Sequence, residues 1–288
     1  MKTVAILGPG LLGGSIALAL REQPDMRVSM WARRREAIEE VRAQECCDVA
    51  STQIEEVVAG ADLVVLATPL GAMPELAAQV VPHLKKTSLV TDVGSVKGPV
   101  VAALDPIFQG RARFVGSHPM AGSEQAGLKA ARADLFRGAA CIVTPSEHTD
   151  AGATARISAF WERLGCTVHA FSPSDHDQAV AWISHLPHLL AAGLVNAVAS
   201  QAQPAFEICG PGFRDTTRVA GGHPGMWTEI LGSNSDAVRK SLEALIENLR
   251  DLATLLDRPA PERDALMNKI LTQAQSQRDR LGYLNQDA

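Results

Sequence analysis

Three groups of residues in this chain could do chemistry. The first is Gly8-Pro9-Gly10-Leu11-Leu12-Gly13, which follows the apolar, β-prone run Thr3–Leu7 and precedes a helical pattern over Ser15–Leu20. Strand, glycine turn and helix form the setting in which G-x-G-x-x-G binds a dinucleotide. Gly8 permits the tight turn, Gly10 lets backbone approach a pyrophosphate, and Gly13 lets the helix pack close to the strand. The N–H groups around Leu11 and Leu12, at the positive end of the helix dipole, then face the anion. Thr68-Pro69 closes the later strand Leu63–Ala67 and is assigned to the same nucleotide site.

The second strand, Val28–Trp31, runs into Ala32-Arg33-Arg34-Arg35, without the acidic residue that NAD sites place there. A carboxylate would repel a ribose 2′-phosphate, whereas an arginine fork pairs with it through charge-assisted hydrogen bonds. The expectation is NADP in preference to NAD, with Arg33 and Arg34 as the phosphate contacts. A solvated basic start to the next helix, Arg34–Arg42, is the competing reading.

The third group is scattered. Asp92-Val93-Gly94-Ser95-Val96-Lys97 follows one strand and Ser117-His118-Pro119-Met120-Ala121-Gly122-Ser123-Glu124 follows the next, where the ligand crevice of an α/β sheet should lie. Ser95 alone reads as the N-cap of a helix beginning at Val96-Lys97, and His118 alone as a cap on the turn before Pro119. Farther on stand Ser184-His185-Leu186-Pro187-His188 and Gly210-Pro211-Gly212-Phe213-Arg214-Asp215-Thr216-Thr217-Arg218. The His-x-x-His pair invites a metal, but no third ligand stands at zinc-like spacing and Pro187 would kink a helix there, so no metal is expected.

The elements that must position these groups alternate between strand and helix up to Phe171. The further strands fall at Ser88–Thr91, Arg113–Val115, Ala140–Val143 and Thr167–Ala170, with helices at Met73–Val81 and Ala151–Leu164. Such alternation predicts βαβ units and a doubly wound, mostly parallel sheet. From Ser172 only helical patterns follow. The predicted domains are therefore a nucleotide-binding domain over 1–171 and an all-α domain over 172–288. Leu189–Ala199 is apolar nearly all round, which predicts burial on every side, in a domain core or against another subunit. Val238, Leu242, Leu245, Leu249, Leu252 and Leu256 recur at helical spacing, and Arg258-Pro259-Ala260-Pro261 should break that helix before a last one near Glu262.

Composition narrows the partners. With 288 residues the chain can bury two cores, and its net charge of −5 argues against a nucleic-acid surface. Glycines and a proline interrupt the N-terminal apolar stretch, which is expected to be neither a secretory signal nor a membrane span. Five cysteines without C-x-x-C spacing suit a reducing cytoplasm.

The third group, in this order behind a glycine-rich start, resembles the prephenate and arogenate dehydrogenase family of tyrosine biosynthesis, over Val4 to about Trp227. The resemblance implies a Rossmann domain followed by a helical dimerisation domain, and a homodimer acting on a small dicarboxylate. It implies oxidative decarboxylation of a cyclohexadienol, with hydride passing to the nicotinamide. Residue by residue, His118 matches the general base and Ser95 a serine hydrogen-bonding that base and the substrate hydroxyl. Arg218 matches the substrate-carboxylate arginine, with Arg214 as competitor. His188 matches a histidine near the substrate side chain, Ser123 and Glu124 polar residues lining the pocket, and Trp227 a pocket-edge aromatic presented by a neighbouring subunit or simply packed. Two other readings share the layout. A β-hydroxyacid dehydrogenase or pyrroline-carboxylate reductase is one, although no lysine lies between Lys129 and Lys240 to serve the hydroxyacid chemistry. A non-enzymatic NADP-binding sensor is the other.

Overall fold

The computed structural model describes residues 1–123 and 125–284. It opens with β1 (Thr3–Leu7), α1 (Leu11–Arg21), β2 (Arg27–Trp31), α2 (Arg35–Ala43), β3 (Val49–Ser51), α3 (Ile54–Val58) and β4 (Leu63–Leu66). Then come α4 (Met73–Val80), β5 (Leu89–Asp92), α5 (Gly98–Phe108) and β6 (Arg113–Phe114). These strands form one parallel sheet in the order β3-β2-β1-β4-β5-β6. Strand order therefore reverses between β1 and β4, and a ligand crevice is expected beyond their carboxyl ends.

Side-chain alternation sorts the strands between two cores. Val4 and Ile6 of β1 pack in one core with Ile16 and Leu20 of α1, while Ala5 and Leu7 pack in the other with Leu76 and Val80 of α4 and Phe108 of α5. Helices cover both faces, which is why β1 and β4 read as unbroken apolar runs rather than alternating ones.

Of the run Arg113–Val115, expected as one strand, Arg113 and Phe114 form β6. The ladder stops because polar side chains of β5 take its next backbone groups. Thr91 Oγ1 donates to the Val115 carbonyl (2.7 Å), and Asp92 Oδ1 accepts from the Ser117 N–H (3.1 Å). The chain then leaves as β7 (Gly116–Pro119), pairing antiparallel with β8 (Ala140–Thr144), which pairs parallel with β9 (Thr167–Ala170) across α6 (Ala151–Arg163). This second, three-stranded sheet has β7 at its edge, where Pro119 costs no ladder bond. His118 thus sits within a strand, not in a turn that it caps.

Helices follow: α7 (Pro173–Val180), a single π-helical turn over Ala181–His185, α8 (Leu186–Gln201), α9 (Pro211–Thr217), α10 (Pro224–Ser233), α11 (Ser235–Leu256) and α12 (Ala260–Leu284). Residues up to Ser235 form one compact unit and a second begins at Asp236. Helices α7 to α10 thus belong with the sheets. Pro173–Gln201 is one continuous 29-residue helix, an 18-residue window of which has mean hydropathy 1.2, and it is long and apolar enough by length and composition to cross a membrane. Its buried residues include His176, Asp177, His185 and His188. The expectation that Leu189–Ala199 is buried on every side fails within one chain, because Leu190 and Leu194 are exposed. Of the two coverings expected for it, a domain core is ruled out.

Candidate active site

The nucleotide end is built around contacts that exclude side chains. Gly8 has φ +119°, and a Cβ there would lie 2.4 Å from the Ala67 carbonyl oxygen, so β1 and β4 can meet only at a glycine. A Cβ on Gly13 would lie 2.0 Å from the Gly8 carbonyl oxygen, so α1 could not seat on the turn. Gly10 faces open space and is the N-cap of α1, with no side-chain cap and no acidic residue in the first turn. The first N–H groups of α1, at Leu11, Leu12 and Gly13, are left for an anion. On the adjoining strand end, Thr68 Oγ1 is buried without a hydrogen-bond partner among the described residues, and Pro69 turns the chain away. These features fit a dinucleotide. Arg33 and Arg34 are exposed beyond the end of β2, next to β1, and α2 starts at Arg35 with Arg34 as its N-cap.

The opposite side of the crevice is held by a buried ion pair. Lys97 Nζ bonds Asp92 Oδ2 and the Ser117 carbonyl (2.8 Å), and both charged side chains are fully buried. Asp92 also accepts from the N–H groups of Gly94 (2.8 Å) and Ser117. Three backbone segments are thereby fastened beside His118. Ser95 is half-buried in the intervening turn, and its expected capping role is not realised. Helix α5 starts at Gly98, and the carboxylate that takes its first N–H groups is Asp177, on α7: Oδ1 from Lys97 N (2.7 Å) and Oδ2 from Gly98 N (2.8 Å).

Asp177 leads to residues that sequence reasoning missed. Its Oδ1 is 2.8 Å from His176 Nδ1, and His176 Nε2 is 2.8 Å from His118 Nδ1. Ser172-Pro173-Ser174-Asp175 reads as an ordinary capped helix start, and the Ser172 hydroxyl does accept from Asp175 N (3.1 Å). Nothing local distinguishes the next two residues. Only the packing of α7 against β7 and α5 gives them partners.

The helices add a ring cluster. His188 and Trp227 stack with centroids 3.6 Å apart and planes 10° from parallel, and Trp227 meets the edge of His185. This contact lies within one chain, between α8 and α10. His185 Nδ1 is 3.1 Å from Asn234 Nδ2, while His185 Nε2 and His188 Nδ1 are buried without partners among the described residues. Arg218 opens the short turn Arg218–Gly221, whose Val219 backbone meets the His188 ring. Arg214 lies one turn earlier on α9, and both arginines are exposed. Ser123 is exposed and accepts from Gln125 N (2.9 Å), so it is not brought to His118, and Glu124 lies outside the described residues. Among the described residues no three His, Cys, Asp or Glu side chains cluster as a metal site.

Burial governs these imidazoles. It holds His118 well below the usual range, assisted by the Lys97 charge and by the repulsion that a proton on His176 or His185 would exert. Burial also lowers His176 against the opposing Asp177 hydrogen bond, takes His185 down to about 4, and lowers His188. Burial raises Asp177, but the bonds from His176, Lys97 N and Gly98 N outweigh it and leave it low. A histidine whose folded pKa lies below its unfolded one binds its proton preferentially in the unfolded chain. Stability should therefore be flat from pH 8 to about 7 and fall below about 6.5, each such group adding up to about 1.4 kcal/mol per pH unit. Calorimetric Tm should drop steadily between pH 6.5 and 5. A constant Tm across that window would show that these rings are not held neutral.

A sheet that reverses at a glycine turn, an uncapped helix behind it and an unpartnered threonine hydroxyl beside it define a dinucleotide-binding dehydrogenase. The nucleotide-binding domain of prephenate dehydrogenase matches residues 16–170, and its dimerization domain matches residues 172–272. The chain belongs to the prephenate dehydrogenase family. It is 36% identical over 260 residues to the cyclohexadienyl dehydrogenase of Zymomonas mobilis, covering 88% of each chain. It is 34% identical over 269 residues to the prephenate dehydrogenase of Bacillus subtilis, covering 90% of this chain and 71% of that one. Among solved structures it superposes on the Aquifex aeolicus prephenate dehydrogenase in complex with hydroxyphenyl propionate and NAD+, with TM-score 0.89, 32% identity and 98% of both chains. It also superposes on Synechocystis arogenate dehydrogenase, with TM-score 0.81, 33% identity, and 98% and 100% of the two chains. Family membership brings with it a nicotinamide cofactor and oxidative decarboxylation in tyrosine biosynthesis.

Proposed function

We propose that this chain oxidatively decarboxylates prephenate or arogenate with NADP as the preferred acceptor, as a cytoplasmic homodimer. The observation that carries the reading is His118. Its ring stands in a strand beside the carboxyl end of the parallel sheet, with Nδ1 engaged by His176 and no partner among the described residues on Nε2. His118 Nε2 takes the proton of the ring hydroxyl, and an imidazole held neutral by burial is in the form needed for that task. Ser95 hydrogen-bonds the same hydroxyl. Arg218 pairs with a substrate carboxylate, a role for which Arg214 competes, and His188, stacked on Trp227, meets the substrate side chain. Bound nicotinamide supplies the hydride acceptor. As the C–H bond gives up hydride, the ring carboxylate leaves as carbon dioxide and its bonding pair completes the aromatic ring.

NADP is favoured because Arg33 and Arg34 stand where the ribose is expected, in a strand end, Trp31–Arg35, that contains no acidic residue. The homodimer is supported by Leu190 and Leu194, exposed on an apolar helix of the matched dimerization domain. The test is the absorbance of reduced cofactor with prephenate and arogenate offered in turn, each with NADP and NAD. Turnover should appear with one or both acids and be faster with NADP, and Arg33→Asp with Arg34→Asp should reverse that preference. Turnover with neither acid would refute the reading, and an unchanged preference would refute the arginine assignment.

A further inference from the structure

The chain Asp177–His176–His118 is more than a set of contacts, because with His176 neutral only one arrangement of its hydrogens satisfies it. An ionised carboxylate accepts and cannot donate. Asp177 Oδ1 already takes the Lys97 N–H, and Oδ2 the Gly98 N–H, so the His176 Nδ1 at 2.8 Å must carry a proton. Neutral His176 then has its lone pair on Nε2. His118 Nδ1, 2.8 Å away, must be the donor in that bond. We propose that Asp177, acting through His176, fixes His118 as the Nδ1–H tautomer and so leaves Nε2 as the lone pair offered to substrate. The proposal rests on the reading of His118 as the base and deepens it, making His176 and Asp177 positioning residues.

The alternative arrangement has His176 as a cation donating from both nitrogens, which would turn His118 round. The charged and titratable groups facing the pair are Lys97 before α5, Asp92 at the end of β5, Asp177 on α7 and His185 in the π-helical turn. Burial of His176 and the nearby Lys97 ammonium oppose a second proton there, and the net effect keeps the ring neutral. The backbone is fastened independently. Lys97 Nζ and Asp92 hold the carbonyl and N–H of Ser117, one residue before His118. The relay therefore sets the proton on the ring while the ion pair sets the strand. When Nε2 takes the substrate proton, the Nδ1–H stays in place, and the new positive charge lies in line with the Asp177 carboxylate. No proton reaches Asp177.

Long-range proton–nitrogen NMR on the full chain, with ¹⁵N-labelled histidine, reads the tautomer directly; the His118 signals are assigned by their loss in His118→Asn. The expected result is Nδ1–H with a bare Nε2. Removing the acceptor with His176→Phe should shift His118 toward Nε2–H and lower kcat by about 10- to 100-fold with KM little changed. His176→Gln, whose amide oxygen can accept the same hydrogen, should recover most of that loss. A wild-type Nε2–H signal, or a His176→Phe variant with unchanged tautomer and kcat, would overturn the relay while leaving the base assignment standing. If His118→Asn itself turned over at the wild-type rate, the base reading would fall, whatever the NMR showed.

Discussion

His118→Asn is expected to lower kcat by about 10²–10⁴-fold while leaving KM within a few-fold of its starting value. Asparagine places an amide near the position of Nδ1 and can keep the contact to His176, so strand β7 and its neighbours should hold. What it lacks is a lone pair at the position of Nε2. The proton of the ring hydroxyl then has no acceptor when hydride departs, and that loss is felt in the transition state rather than in the bound substrate. The measurement is steady-state kinetics with the acid and cofactor identified in the assay above. A variant retaining more than about a tenth of the rate would place the base elsewhere.

Lys97→Met should cost about 3–5 kcal/mol of stability, a large share of what holds a domain together. Methionine fits the length and flexibility of the lysine stem. It leaves Asp92, fully buried, with two N–H groups and no cation. The cost comes mainly from the stranded charge, so the double variant Asp92→Asn, Lys97→Met should recover a substantial part of it. Urea unfolding at fixed protein concentration measures both. A single-variant cost below about 1 kcal/mol, typical of an exposed pair, would contradict the buried ion pair.

How much of this was legible in the sequence depends on the reach of each interaction. β1, its glycine turn and α1 were legible because every feature that makes them lies within about twenty residues of chain. The longer strands and α6 were equally plain, since apolar runs bounded by turns suffice. β3 and α3, over Val49–Val58, are too short to give a period. β7 was hidden because the strand Arg113–Val115 was expected to end in a loop at Ser117-His118, and the switch to a second sheet depends on Thr91 and Asp92, more than twenty residues away. Within the proposed site, Ser95 and His118 were singled out through family pattern. Ser95 had a capping role in the sequence that Asp177 fills in the structure. His176 and Asp177 carried no signal, because a histidine and an aspartate at a helix start are unremarkable until a second helix and a strand close over them. The all-round apolar pattern of α8 led to an expectation of burial that the chain by itself does not meet, since Leu190 and Leu194 are exposed.

The side chain of Asp177 has one further consequence. It belongs to the helices yet terminates a helix of the nucleotide-binding sheet, and through His176 it also orients the proposed base. A swing of α7 away from the sheet would strip α5 of its cap and disarm His118 in the same movement. The joint at Ser172, which the change of texture in the sequence marks as a natural pivot, is therefore clamped.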